Sequence, residues 1–145
     1  MAKIRILVVD DIAQNAELLE ALLVPAGYEV SKTTSGKEAL DKFRQGRPDL
    51  ILLDLMMPSM NGYQVCQTLR KDIDNASLPI IAITAVMDQP EDYGSALTAG
   101  FDAYIIKPFK KEELISKIED LLSQAKKGIL PSHLSFRKAQ RAQED

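Results

Sequence analysis

The chain has 145 residues, of which 46% are hydrophobic and 27% charged, and a formal net charge of −3. That is one domain's length with enough apolar material for a real core, and its acidity argues against nucleic acid as the partner of the whole chain. The single Cys66 excludes an internal disulfide and a cysteine metal cluster, no apolar run approaches the ~20 residues of a membrane span, and the N-terminus lacks a signal-peptide core, so a cytoplasmic location without membrane insertion is expected.

Residues 4–9, Ile-Arg-Ile-Leu-Val-Val, read as a strand that runs into Asp10 and Asp11. A helix is predicted over 13–24, with Leu18, Leu19, Leu22 and Leu23 inward, ended by Pro25-Ala-Gly27. The mixed Glu29–Thr33 run suits an edge strand. Ser35 then reads as an N-cap with Glu38 as its capping-box partner. That helix extends to about Gln45 and buries Ala39, Leu40 and Phe43. Residues 50–53 are nearly all apolar, as expected of a parallel strand covered on both faces, and end at Asp54. After the loop Met57–Gly62 comes a helix over 63–71 and a strand over 80–83 that closes on Thr84. Asp88, Pro90 and Glu91 open a further helix up to Gly100, weakened by Gly94. A strand over 103–106 ends at Lys107-Pro108, and a last helix over 110–127 carries Leu114, Ile118, Leu121 and Leu122 on one stripe.

Five strands alternating with five helices predict an α/β, doubly wound parallel sheet in the order 2-1-3-4-5, a flavodoxin-like three-layer sandwich. The order reverses between the first and third strands, which puts a site at their carboxyl ends, where Asp10, Asp11 and Asp54 would meet. Three close carboxylates repel one another unless a cation joins them, and Mg²⁺ fits such oxygen ligands. Asp11 and Asp54 are the expected direct ligands, with the Met56 backbone carbonyl as a third and Asp10 acting directly or through water. Asp54 is the candidate nucleophile for a phosphoryl group. Lys107 and the metal would neutralise the transferring oxygens, and Thr84 would donate its hydroxyl to one of them.

The stretches Ile-Leu-Val-Val-Asp10-Asp11, Leu-Leu-Asp54-Leu-Met-Met-Pro58-Ser-Met-Asn-Gly62, Ile-Thr84-Ala85 and Tyr104-Ile-Ile-Lys107-Pro108-Phe109 resemble a response-regulator receiver domain of two-component signalling. The resemblance covers residues 4–122. It implies that Asp54 takes phosphate from a histidine kinase or histidine phosphotransfer protein, that Asp10 and Asp11 organise Mg²⁺, and that Thr84 and Lys107 read the phosphoryl group. It also implies a switch in which Thr84 moves toward the phosphate and Tyr104 swings inward. The face made by the helix before the last strand, that strand and the last helix would then change, to control a downstream protein, a fused effector domain or a homodimer. Apolar Met56 and Val86, two residues beyond Asp54 and Thr84, cannot orient a water, so slow loss of the phosphate is expected. The protein would act as a switch catalysing only its own phosphorylation and dephosphorylation. The rival reading is a Mg²⁺-dependent aspartyl-phosphate phosphatase, which needs a second carboxylate beside the nucleophile; an FMN-binding domain would need a hydroxyl- and glycine-rich loop where this chain has two aspartates. Domain boundaries are expected at 1–124 for the receiver and 125–145 for a basic, partly apolar tail, or linker to an output domain. His133, in that tail, has no catalytic neighbours in the sequence.

Overall fold

The computed structural model describes residues 3–72, 75, 77–85 and 100–127. In chain order these form β1 (Arg5–Val9), α1 (Ala13–Leu23), β2 (Glu29–Thr33), α2 (Gly36–Gln45), β3 (Leu50–Asp54), α3 (Gly62–Arg70), β4 (Ile80–Thr84), β5 (Ala103–Ile106) and α4 (Lys111–Lys126). The helix expected over 88–99, Val86 and the tail from 128 lie outside the described residues. All strand pairs are parallel, and the sheet order is β2-β1-β3-β4-β5, as the alternation predicts.

The side-chain period of two divides each central strand between two cores. Leu7, Val9, Ile51, Leu53, Ile80 and Ala82 pack with Ala39, Val65, Cys66 and Leu69 of α2 and α3. Ile6, Val8, Leu50, Leu52, Ile81 and Ile83 pack on the opposite face with Ala16, Leu19 and Leu23 of α1 and Leu114, Ile118 and Leu121 of α4. This explains why β3 and β4 are buried at every position while β2 is not. Each fully buried Leu or Ile contributes about 1.5–3 kcal/mol over its exposed state.

Two local expectations change. Leu18 is 57% exposed and does not face the core. Successive helix positions are about 100° apart, so Leu19 and Leu23 dock with Ala16 while Leu18 points outward. The capping box predicted at Ser35 forms by half: Ser35 Oγ accepts from the Glu38 amide at 3.1 Å, but the Glu38 carboxylate reaches the Thr34 amide and hydroxyl instead of the Ser35 amide. A complete box occurs at Asn61 and Gln64, which opens α3 at Gly62 inside the stretch read as loop.

Candidate functional site: an acidic cluster at the carboxyl edge of the sheet

The register assembles the site. Val9 lies beside Leu53 on one side and Thr33 on the other, Asp54 lies beside Ile83, and Thr84 lies beside Ile106. Asp10, Asp54, Thr84 and Lys107 therefore emerge at one edge from four adjacent strands. The Asp10 amide bonds to the Thr33 carbonyl at 3.1 Å and the Lys107 amide to the Thr84 carbonyl at 2.8 Å, so backbone pairing continues into the site and fixes where these side chains start.

Asp10, Asp11 and Asp54 each offer a carboxylate oxygen, and the three oxygens lie within 4.8 Å of one another. Asp10 is buried; one of its oxygens accepts the Ile12 amide at 2.9 Å and the other faces the Lys107 ammonium at 3.3 Å. Asp54 is 7% exposed and accepts the Met56 amide at 3.0 Å. Its pKa is raised to about 6, chiefly by burial and further by the charges of Asp10 and Asp11, against the opposing pull of the Met56 amide and Lys107. Oδ1 of Asp11 is buried with no hydrogen-bond partner. A buried carboxylate oxygen without a partner is costly; a cation held by the three aspartates would satisfy it and lower their repulsion. Oxygen-only donors fit a hard ion such as Mg²⁺.

The other predicted residues divide. Thr84 is buried at the end of β4, and Tyr104 is half-buried in β5 against the core on the α2–α3 side. Met56 is 67% exposed. Its amide donates to Asp54. Val86 lies outside the described residues. Beside the acids a cleft of about 390 Å³ is lined by Asp10, Leu18, Leu22, Lys107 and Phe109.

Residues 6–119 match the family model described as response regulator receiver domain. The chain belongs to the response-regulator receiver family. Among relatives, a probable transcriptional regulator ycf27 of Guillardia theta is 42% identical over 133 residues, 92% of this chain and 51% of that protein. The DNA-binding response regulator MtrA of Mycobacterium tuberculosis is 46% identical over 114 residues, 79% of this chain and 48% of that protein. The receiver thus spans about half the length of the curated relatives it matches. A CheY-like receiver domain protein of Methanospirillum hungatei superposes with a TM-score of 0.81 at 30% identity, covering 88% of this chain and 99% of that one. Vibrio cholerae CheY4 gives 0.78 at 30% identity, covering 83% and 99%. Among the described residues, no helix of the receiver is long and apolar enough to cross a membrane.

Sequence reasoning missed one pair. Arg70 and Asp102 form an ion pair at 2.9 Å with side chains only 5% and 3% exposed. The available signal was an isolated Asp at the mouth of a strand, which reads as a turn residue.

Proposed function

We propose that this receiver is a phosphoacceptor switch in which Asp54 takes a phosphoryl group from the phosphohistidine of a histidine kinase or phosphotransfer protein. The observation that carries the reading is the partnerless buried oxygen of Asp11 within a three-aspartate cluster that also contains Asp54. Asp10, Asp11 and Asp54 would hold Mg²⁺, with the Met56 carbonyl as a further oxygen. When bound, the ion supplies positive charge against the phosphoryl oxygens. In the transfer, an Asp54 carboxylate oxygen forms the new bond to phosphorus as the nitrogen–phosphorus bond breaks, and the electron pair returns to the imidazole. Lys107, released from Asp10, neutralises one phosphoryl oxygen. Thr84 donates to another and begins the switch, which Tyr104 relays.

Residues 1–124 make up the receiver and 125–145 a tail or linker. The output passes to an effector, attached or separate, by way of the face that includes β5 and α4, which also suits a homodimer. The receiver itself is not a turnover enzyme. Met56 and Val86 set the lifetime: neither side chain is polar and neither can orient attacking water, so the phosphate persists for minutes or longer.

Incubation with acetyl phosphate tests this. Incorporation of one phosphoryl group that requires Mg²⁺ and is lost in Asp54→Asn is the expected result. Incorporation that survives Asp54→Asn, or rapid release of inorganic phosphate over many turnovers, would contradict it. Met56→Asn is expected to shorten the half-life several-fold, and a half-life of seconds in the wild type would overturn the lifetime proposal.

A further inference from the structure

The Arg70 guanidinium, at the end of α3, makes contacts to two other segments of chain. Nη2 donates to Asp102 Oδ2 at 2.9 Å and to the Gly100 carbonyl at 2.8 Å, and Nε donates to the same carbonyl at 3.0 Å. Nη1 donates to the carbonyls of Leu78, at 2.7 Å, and Asn75. The chain at Gly100 comes so close that a Cβ there would lie 2.9 Å from Arg70 Cγ, at a backbone φ of +110°. One planar fork therefore joins the end of α3, the approach to β4 and the entry to β5.

Asp102 carries this restraint into the sheet. Its Oδ2 also accepts the Ile80 amide at 3.0 Å, while its own amide donates to the Ile80 carbonyl at 2.9 Å. Ile80 and Asp102 are thus bonded twice at the point where the β4–β5 ladder begins. β5 is a four-residue strand that, among the described residues, pairs with β4 alone, starting from Ile81 opposite Ala103. A short edge strand has few ladder bonds to hold its register, and a one-residue slip would reverse every side chain. Five residues beyond Asp102 the chain delivers Lys107 to the acidic cluster.

We infer that Arg70 is a positioning residue for Lys107: through Asp102 it fixes β5 on β4 and so sets the lysine from the opposite edge of the sheet. The inference rests on the phosphoacceptor reading above. Misplacing a charge-bearing group by about 1 Å can cost up to a hundredfold in rate. The Mg²⁺ carboxylates start from the ends of β1 and β3, so their backbone positions are set by other strands, and β5 reaches them only through the Lys107 ammonium that pairs with Asp10.

The test is acetyl phosphate loading and Mg²⁺ affinity in Arg70→Lys, which keeps a charge opposite Asp102 but loses the fork, with Asp102→Asn as the second variant should the first not fold. Loading is expected to slow about ten- to a hundredfold while Mg²⁺ affinity does not fall, since Asp10 only loses a competing cation, and the same change in a Lys107→Ala background is expected to alter loading by less than about twofold. Unchanged loading, a parallel loss of Mg²⁺ affinity, or losses that multiply in the double variant would each overturn the inference. A wild-type protein that does not load overturns the phosphoacceptor reading itself, and Lys107→Ala loading at the wild-type rate overturns the lysine's role in it.

Discussion

At the scale of single residues, Asp54 is the carboxylate among the described residues whose chemistry its surroundings alter most. Folding raises its pKa to about 6, against about 3.9 in an unfolded chain. The folded state therefore binds the proton more tightly than the unfolded state. Its stability is greatest below the unfolded value and falls as pH rises from about 4 to about 6. Replacing Asp54 by Asn removes that loss. Without Mg²⁺, urea denaturation is expected to find Asp54→Asn about 1–3 kcal/mol more stable than wild type at pH 7 and no more stable near pH 3; a difference that does not vary with pH would refute the cause given. Lys107 shows what sequence left open. It belonged to the cluster by its place after an apolar run, but its pairing with Asp10 depends on side-chain reach across the sheet edge, which no run of residues records.

At the scale of elements, α3 starts where it does for two reasons. The Asn61–Gln64 box satisfies its first amides, and Gly62 lets the helix approach the end of β3. A Cβ on Gly62 would collide with the Asp54 carbonyl oxygen, a backbone atom that cannot swing away. Gly62→Ala is expected to destabilise the protein by about 1–3 kcal/mol and to weaken Mg²⁺ binding, since it pushes on the backbone of Asp54; thermal melts and a Mg²⁺ titration check both, and wild-type values for both would contradict the close approach. The apolar strands were legible because parallel strands covered on both faces must be greasy at every position. The start of α3 was read to within one residue, but its Asn61–Gln64 box was hidden, because Met-Pro-Ser-Met-Asn-Gly is dominated by turn formers and such a box shows only when its amides are seen paired. Leu18 was misassigned because four leucines in six residues span more of the helix surface than the sheet covers. Arg70 and Asp102 carry charges that sequence alone assigns to solvent; the buried fork that joins them needs three segments distant in the chain.

At the scale of the whole molecule, the sheet order β2-β1-β3-β4-β5 makes the ends of β1 and β3 neighbours, and this placed the acidic cluster correctly from the sequence. On the proposed function Mg²⁺ binds the cluster only in the folded state, so it is expected to raise the thermal midpoint. At about a hundred times the dissociation constant the added stability is about 2.7 kcal/mol, and Asp11→Ala should abolish it; a midpoint that does not respond to Mg²⁺ in the wild type would argue against a metal site. The chain spans about half the length of the curated relatives it matches. The most direct measurement is to load the protein with acetyl phosphate and Mg²⁺, trap the acyl phosphate by borohydride reduction, and locate the reduced residue by peptide mass spectrometry. The expected result is reduction at Asp54 alone. Modification at Asp10 or Asp11, or phosphate recovered on His133 with Asp54 unmodified, would contradict the account.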